Sequence, residues 1–116
     1  MNESDKFRLA DMVSFAKEAT DLLGNLSVEK YEIDNRTYRA CERCLEIVGE
    51  AADKISKDFQ NLHSEIDWKG AIGMRHVLIH GYGKIRHKIV YDTIKTKLPT
   101  LITELEKILT QNGDEK

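Results

Sequence analysis

The sequence has few of the residues that mark specialised classes of protein. It contains two cysteines, one proline and only 7% aromatic residues. Two cysteines argue against a disulfide framework and fit a reducing cytosol, and a single proline argues against an all-β fold with many turns. No apolar run approaches the roughly 18 residues of a membrane span, and residues 1–5 do not begin a signal peptide. We therefore expect a cytoplasmic protein that has no membrane partner.

The length and composition fit one domain with its own core. A chain of 116 residues is of ordinary single-domain size, and such a chain buries roughly two thirds of its unfolded surface. With 41% apolar and 33% charged residues, it is unlike a disordered chain. We expect a single domain over residues 1–111, followed by a frayed tail over residues 112–116.

Positive charge is concentrated in one segment. Between Lys69 and Lys97 the chain has seven lysines and arginines and one acid, Asp92, so that segment carries a net charge of +6, whereas the whole chain carries −2. The same segment holds three of the four histidines: His76, His80 and His87. A basic segment in an acidic protein suggests an anionic ligand. A solvated basic face that balances an acidic one is the alternative.

Apolar residues recur at helical spacing in four regions, and no region has the alternation of a strand. The four predicted helices cover residues 5–23, Asn35 to about Lys57, Trp68 to Gly81, and about Arg86 to Gln111. Residues 58–66 read as a connection, and Ser27 begins a short turn through Ile33. The pattern predicts an all-α fold, an antiparallel bundle of four main helices. Because two of the apolar seams have coiled-coil spacing, they also suit a dimer.

Caps and breaks refine these predictions. Asn35 and Asp67 are candidate N-caps because their side chains can accept a hydrogen bond from the first turn, and Gly24 suits a C-cap. Gly49 is costly within a helix, which predicts that another helix crosses closely there. Pro99 removes a backbone donor and must kink or split the last helix.

Two tempting metal patterns are incomplete. Zinc sites with cysteine ligands usually combine two pairs, but Cys41-x-x-Cys44 has no second pair, and both cysteines read as small buried hydrophobes. His76 and His80 have the spacing of a zinc protease helix, but Val77 stands where that motif requires glutamate. We therefore predict no metal site and no cofactor.

Arg75, His80 and Tyr82 are the residues whose types together suggest chemistry. They gather a guanidinium, an imidazole and a phenol where Gly81 and Gly83 end a helix. Ending the helix at Gly81 frees His80 and Tyr82 from helical directions. A planar guanidinium binds two phosphate oxygens at once, and a neutral imidazole can take the proton of a ribose 2′-hydroxyl. That hydroxyl can then attack its own phosphorus. A polar helix end with satisfied side chains is the alternative.

The order of these residues resembles a known family. Arg75-x4-His80-x-Tyr82 is similar to the RX4HXY motif of HEPN ribonucleases, and its surroundings resemble the HepT-like toxins. The second helix with its Gly-Glu-Ala core is matched by residues 39–43 and 45–52, and the segment before the motif helix by residues 66–68. The motif helix is matched by residues 72–75 and 78–82, and a Leu-Pro-x-Leu turn by residues 97–101. The resemblance covers about residues 5–110.

The resemblance implies more than the spacing does. It implies a HEPN bundle that forms a homodimer with the two motifs facing each other, and a metal-independent endoribonuclease with Arg75, His80 and Tyr82 as catalytic residues. It implies a cognate MntA-type nucleotidyltransferase antitoxin that transfers AMP to Tyr82, and transfer RNA as a substrate. The nearby cations expected to contact RNA phosphates are Lys84, Arg86 and Lys88.

Two positions depart from the family pattern. Asp67 stands where the family usually has proline, and since both residues start helices the change is mild. His76 follows the motif arginine where asparagine is common, and we assign it no role. Neither departure removes a motif residue. The alternative function is a non-catalytic HEPN module that binds a nucleotidyltransferase or a nucleotide.

Overall fold

The structure, a computed structural model, describes residues 1–113 and the side chains of residues 1–111. Within that part of the chain it is all-helical and has no strand, as the sequence predicts. The helices are α1 (Glu3–Leu23), α2 (Val28–Ile33), α3 (Asn35–Lys54), α4 (Lys57–Leu62), α5 (Trp68–His80), α6 (Gly83–Asp92) and α7 (Leu98–Gly113), with a π-helical segment, Thr93–Lys97, between the last two. None of these helices is long and apolar enough to cross a membrane. Of the predicted frayed tail over residues 112–116, residues 112 and 113 instead continue α7, and residues 114–116 lie outside the described residues.

The core lies mainly between α1 and α3, with α7 packed on α1. The predicted seams are buried: α1 contributes Leu9, Met12, Ala16 and Ala19, and α3 contributes Cys41, Leu45, Val48 and Ala52. The alanines allow the two helix backbones to approach, while the larger side chains fill the space between turns. Leu105 and Ile108 extend the core along α7.

Most of the predicted caps form, with one displaced by a residue. Ser27 accepts a hydrogen bond from the Lys30 N–H, and Asp67 accepts one from the Gly70 N–H at 2.9 Å. The N-cap of α3, however, is Asp34 and not Asn35. The Asp34 carboxylate accepts from the Thr37 N–H at 3.1 Å, so Asn35 becomes the first helical residue.

The predicted connection over residues 58–66 contains a helix, α4, and α3 ends at Lys54 rather than near Lys57. Ser56 explains both differences. Its hydroxyl caps α4 by accepting from the Phe59 N–H, and its own N–H and hydroxyl donate to the buried Asp5 carboxylate at 2.9 and 2.6 Å. This tie to α1 turns the chain at Ser56, and Phe59 then fills the core.

The last predicted helix is split, but before Pro99 rather than at it. In the π-helical segment the Leu98 N–H bonds to the Thr93 carbonyl, five residues back. The backbone stays right-handed helical from Asp92 through Leu98, so the hydrogen-bond ladder adjusts in the π-helical segment just before Pro99, the residue that lacks an N–H. The helical region also begins earlier than predicted, at Gly83 instead of Arg86.

Candidate functional site

Helix α5 carries the motif and packs on α3 at Gly49. A Cβ at Gly49 would lie 2.9 Å from the Ala71 carbonyl oxygen and 2.9 Å from the Cγ of Arg75. The close crossing predicted from this glycine is therefore present, and it makes room for the aliphatic part of the Arg75 side chain. The position of the Arg75 side chain in α5 therefore depends on the absence of a side chain at Gly49 in α3.

The Arg75 guanidinium emerges from this crossing beside Asp53. Nη1 of Arg75 lies 3.3 Å from Oδ2 of Asp53, and the two side chains are 39% and 49% exposed. An ion pair this exposed stabilises a protein by less than about 1 kcal/mol. The carboxylate therefore orients the guanidinium at the surface through a weak ion pair. The guanidinium still has N–H donors available for an incoming phosphate.

His80 is the last residue of α5, so the prediction that it leaves the helix is wrong. Its ring lies 4.4 Å from the ring of His76, centroid to centroid, with the planes tilted by 45°. The two histidines lie one turn apart on the same exposed face. Sequence reasoning left His76 without a role, and the structure makes it the neighbour that limits where the His80 ring can turn.

The motif turn, Gly81-Tyr82-Gly83, presents Tyr82 to solvent. Gly81 has φ −79°, so the positive φ expected there is not found; a Cβ at Gly81 would instead lie 2.7 Å from the Val77 carbonyl oxygen. The positive φ is at Gly83, +67°. Tyr82 between them is extended and 82% exposed, which confirms the predicted turn and accessible side chain.

The three cations expected to contact RNA have different surroundings. Arg86 donates from Nη1 to the Gly81 carbonyl at 3.1 Å, and its Nε forms an ion pair with Oε2 of Glu42 at 3.2 Å. Lys88 forms an exposed ion pair with Asp92, and Lys84 is exposed. Arg86 is thus partly buried against Glu42 and Gly81, which the sequence pattern could not reveal because Glu42 is 44 positions away.

The motif occupies an open surface. In the part of the chain that the structure describes, no hydrogen bond, ion pair or ring contact joins Arg75, His80 and Tyr82 to one another. An apolar groove of about 400 Å³ lies between α5 and α7, but none of the three lines it. Exposed isoleucines, Ile79 and Ile85, flank the motif turn. This arrangement suits a site completed by another molecule.

The cysteines lie away from the motif, in the core. Burial raises the pKa of the Cys41 thiol to about 11, and burial together with the Glu18 carboxylate raises the pKa of Cys44 to about 12. Both thiols are therefore protonated at neutral pH and poor metal ligands, which confirms the interpretation as buried hydrophobes. No group of three or more His, Cys, Asp or Glu residues among those described could hold a metal ion.

Comparison with known proteins gives consistent matches. The family model "Ribonuclease HepT-like" matches residues 12–108. The chain is 33% identical over 108 residues to "Probable ribonuclease HepT" of Thermococcus cleftensis, covering 93% of this chain and 98% of that protein. It is 33% identical over 101 residues to "Putative RNase MJ0127" of Methanocaldococcus jannaschii, covering 87% and 84%. No solved structure gives a significant match.

Proposed function

Because this chain belongs to the HepT-like ribonuclease family, we propose that it is a metal-independent endoribonuclease and the toxin of a toxin–antitoxin pair. The observation that carries the proposal is the intact motif: Arg75 seated against Gly49, His80 at the end of α5, and Tyr82 exposed in the turn that follows. These are the groups that RNA cleavage by an internal hydroxyl requires.

Each motif residue has a role that its chemistry suits. Arg75 binds two oxygens of the scissile phosphate. His80, in its neutral form, takes the proton of the neighbouring 2′-hydroxyl, and the oxygen then attacks phosphorus to form a 2′,3′-cyclic phosphate. The bond from phosphorus to the 5′-oxygen breaks, and that oxygen takes a proton from water. Tyr82 is a poor base at neutral pH because phenols have a pKa near 10, and it hydrogen-bonds the phosphate or stacks on a base.

RNA reaches this site along a positively charged surface. Lys84 and Lys88 are exposed on α6 beside the motif turn, and such cations contribute binding energy that falls as salt rises. Arg86 is partly buried against Glu42 and Gly81, so the proposed RNA contacts are the two exposed lysines. Lys88 has Asp92 as its partner, but that ion pair is exposed, and a phosphate can replace the carboxylate. Transfer RNA is the proposed substrate, on the family resemblance alone.

The proposed active form is a homodimer. The motif lies on an open face flanked by exposed Ile79 and Ile85, which are 70% and 73% exposed. Covering these isoleucines with a partner removes apolar surface from water, which favours association. Two copies that pair through this face bring their motifs together and enclose the RNA between them.

The proposed antitoxin is a nucleotidyltransferase that transfers AMP from ATP to Tyr82. The phenol oxygen attacks the α-phosphorus of ATP, pyrophosphate leaves, and the added phosphate places negative charge beside Arg75, which repels RNA. Tyr82 is accessible, whereas Tyr31 and Tyr38 pack against His87 and each other. After incubation with the purified nucleotidyltransferase and ATP, the intact mass of the wild-type chain should rise by AMP units, and the mass of Tyr82→Phe should stay the same.

The central test compares cleavage of RNA by the wild type and by His80→Ala in excess EDTA. We expect the wild type to cleave, the variant to lose about 10²–10⁴ in rate, and a substrate with a 2′-deoxy group at the cut site to resist. His63→Ala, the same change in the one histidine outside the basic segment, is the control and should cleave normally. Full cleavage by His80→Ala, or activity that requires an added metal ion, would reject this mechanism. An inactive wild type that still binds the nucleotidyltransferase would favour the non-catalytic module.

A further inference from the structure

A partly buried ion pair links α3 to the backbone of the motif turn. Arg86 in α6 and Glu42 in α3 are 25% and 18% exposed, and Nε of Arg86 lies 3.2 Å from Oε2 of Glu42. The other end of the same guanidinium donates to the Gly81 carbonyl at 3.1 Å. Gly81 is the residue between His80 and Tyr82, so the pair acts on the peptide that separates two motif side chains.

The Gly81 peptide is held from both sides. Its N–H donates to the Val77 carbonyl at 2.8 Å, which ends α5. On the other side, the Arg86 side chain passes so close that a Cβ on Gly81 would lie 3.4 Å from its Cβ. That distance is an ordinary van der Waals contact, so the arginine packs directly against this glycine, whereas the group that a Cβ would clash with is the Val77 carbonyl oxygen, at 2.7 Å.

The rest of the turn has few restraints of its own. Tyr82 precedes α6 without a side-chain capping bond, and its ring is exposed. A Cβ at Gly83 would meet no atom within 4 Å. The Arg86 contact is therefore the restraint that comes from outside α5 and sets the direction in which Tyr82 leaves the helix.

We propose that Arg86, held by Glu42, is a positioning residue of this ribonuclease site, which fixes the Gly81 peptide and thereby the relative placement of His80 and Tyr82. The proposal rests on the proposed function. It assigns Arg86 an effect on the chemical step rather than on RNA binding. Displacements of about 1 Å in an active site can cost about 100-fold in rate, so a loosened turn slows cleavage even when all three motif residues remain.

The residue types suit this role. Nη1 of Arg86 donates a hydrogen bond to the Gly81 carbonyl, while Nε faces Oε2 of Glu42 as an ion pair without hydrogen-bond geometry. A planar guanidinium can contact both groups at once, whereas a lysine ammonium is a single point donor at the end of a flexible chain. Nδ1 of His87 lies 3.9 Å from the same Glu42 oxygen, and its ring stacks on Tyr38 at 4.3 Å. Glu42 is therefore enclosed by α6, and its carboxylate needs the arginine as a partner.

The test separates a structural role from a positioning role. Arg86→Met should lower the melting temperature, because Glu42 is left unpaired, and lower the single-turnover cleavage rate about 10- to 100-fold with a smaller change in RNA affinity. The double variant Glu42→Gln/Arg86→Met removes both charges, so we expect it to regain melting temperature but not cleavage rate. Arg86→Lys keeps the positive charge, so like the double variant it should have a higher melting temperature than Arg86→Met but an equally low cleavage rate. The control, Glu46→Gln, breaks an exposed ion pair with Arg43 on the same helix and should change neither quantity.

A second readout does not depend on catalysis. The ¹³C resonance of the Gly81 carbonyl and the amide resonance of Tyr82 should move in Arg86→Met and in the double variant, and stay in Glu46→Gln. If the cleavage rate recovers together with the melting temperature in the double variant, or if these resonances do not move, the positioning role is wrong. If the wild type cleaves no RNA, the proposed function fails, while the resonances still decide whether Arg86 fixes the turn.

Discussion

The α1–α3 pair and the α5–α6 region are built on different principles. Along α1 and α3, apolar side chains at helical spacing are buried against each other, and the two helices form most of the core. In α5, Trp68 is the one buried residue, at 7% exposed, and Arg75, His80 and the following Tyr82 are partly or fully exposed. The first region is held by apolar area over its whole length. The second is held by fewer apolar contacts, such as those of Met74, Leu78 and Val90, together with a close backbone crossing at Gly49 and the ion pair of Arg86 with Glu42. The proposed site therefore has its motif side chains exposed, while the contacts that hold it lie on the inner side of α5 and α6.

The largest loss of stability should come from truncating a side chain in the α1–α3 core. Leu9 is completely buried in α1, so Leu9→Ala should lower the free energy of unfolding by about 2–5 kcal/mol through lost burial and a cavity. Urea unfolding followed by circular dichroism measures it. A cost below about 1 kcal/mol would mean that the core closes around the cavity and that the contrast between the two regions is overstated.

A smaller loss of stability should come from adding a side chain at Gly49, where α3 and α5 cross. In Gly49→Ala the new Cβ meets the Ala71 backbone and the Arg75 side chain at 2.9 Å, and we expect a loss of about 1–3 kcal/mol from overpacking. Because Arg75 must shift, cleavage should fall by more than the change in folded fraction explains. Gly73→Ala is the matched control, since a Cβ there meets no atom within 4 Å. Equal behaviour of the two variants would contradict the role given to Gly49.

A pH-dependent effect should distinguish the core from the motif face. The pKa of the Cys44 thiol is raised from 9.0 to about 12 in the folded chain, so between these values the unfolded chain loses a proton that the folded chain keeps. Stability from this thiol is complete below about pH 9 and is lost as the pH rises toward 12. Unfolding free energies at pH 8 to 11 should fall with pH, and Cys44→Ala should reduce the slope. An unchanged slope would assign the loss to other groups.

The smallest effect on folding should come from the exposed motif face. The Ile79 side chain is exposed near the end of α5. Ile79→Ser should therefore change the free energy of unfolding of the single chain by under about 0.5 kcal/mol. Under the proposed dimer it should weaken self-association instead, which sedimentation over a range of concentrations measures. A large loss of stability without a change in association would place Ile79 in the fold and not in an interface.

The comparison also explains which features could be predicted. The helices of the core follow from apolar spacing, and the close crossing at Gly49 follows from the cost of glycine in a helix. The motif residues are recognisable because their types and spacing are local. Helix α4 was missed because its start depends on Ser56 donating to Asp5, a contact 51 positions apart in the sequence. The helix ends at Gly81 as predicted, but the direction of His80 was missed because the residue before the C-cap still belongs to the last helical turn.

The sequence by itself determined the all-helical class, the seams of the core, and the presence of Arg75, His80 and Tyr82 around one turn. These are properties of neighbouring residues, because helical spacing and turn formation depend on separations of a few positions. The tertiary structure alone decided that Asp53 faces Arg75, that His76 stacks on His80, and that Arg86 turns inward to Glu42 and the Gly81 carbonyl. Side-chain direction and long-range pairing depend on which helices meet and at what distance, and a charge in a sequence shows neither.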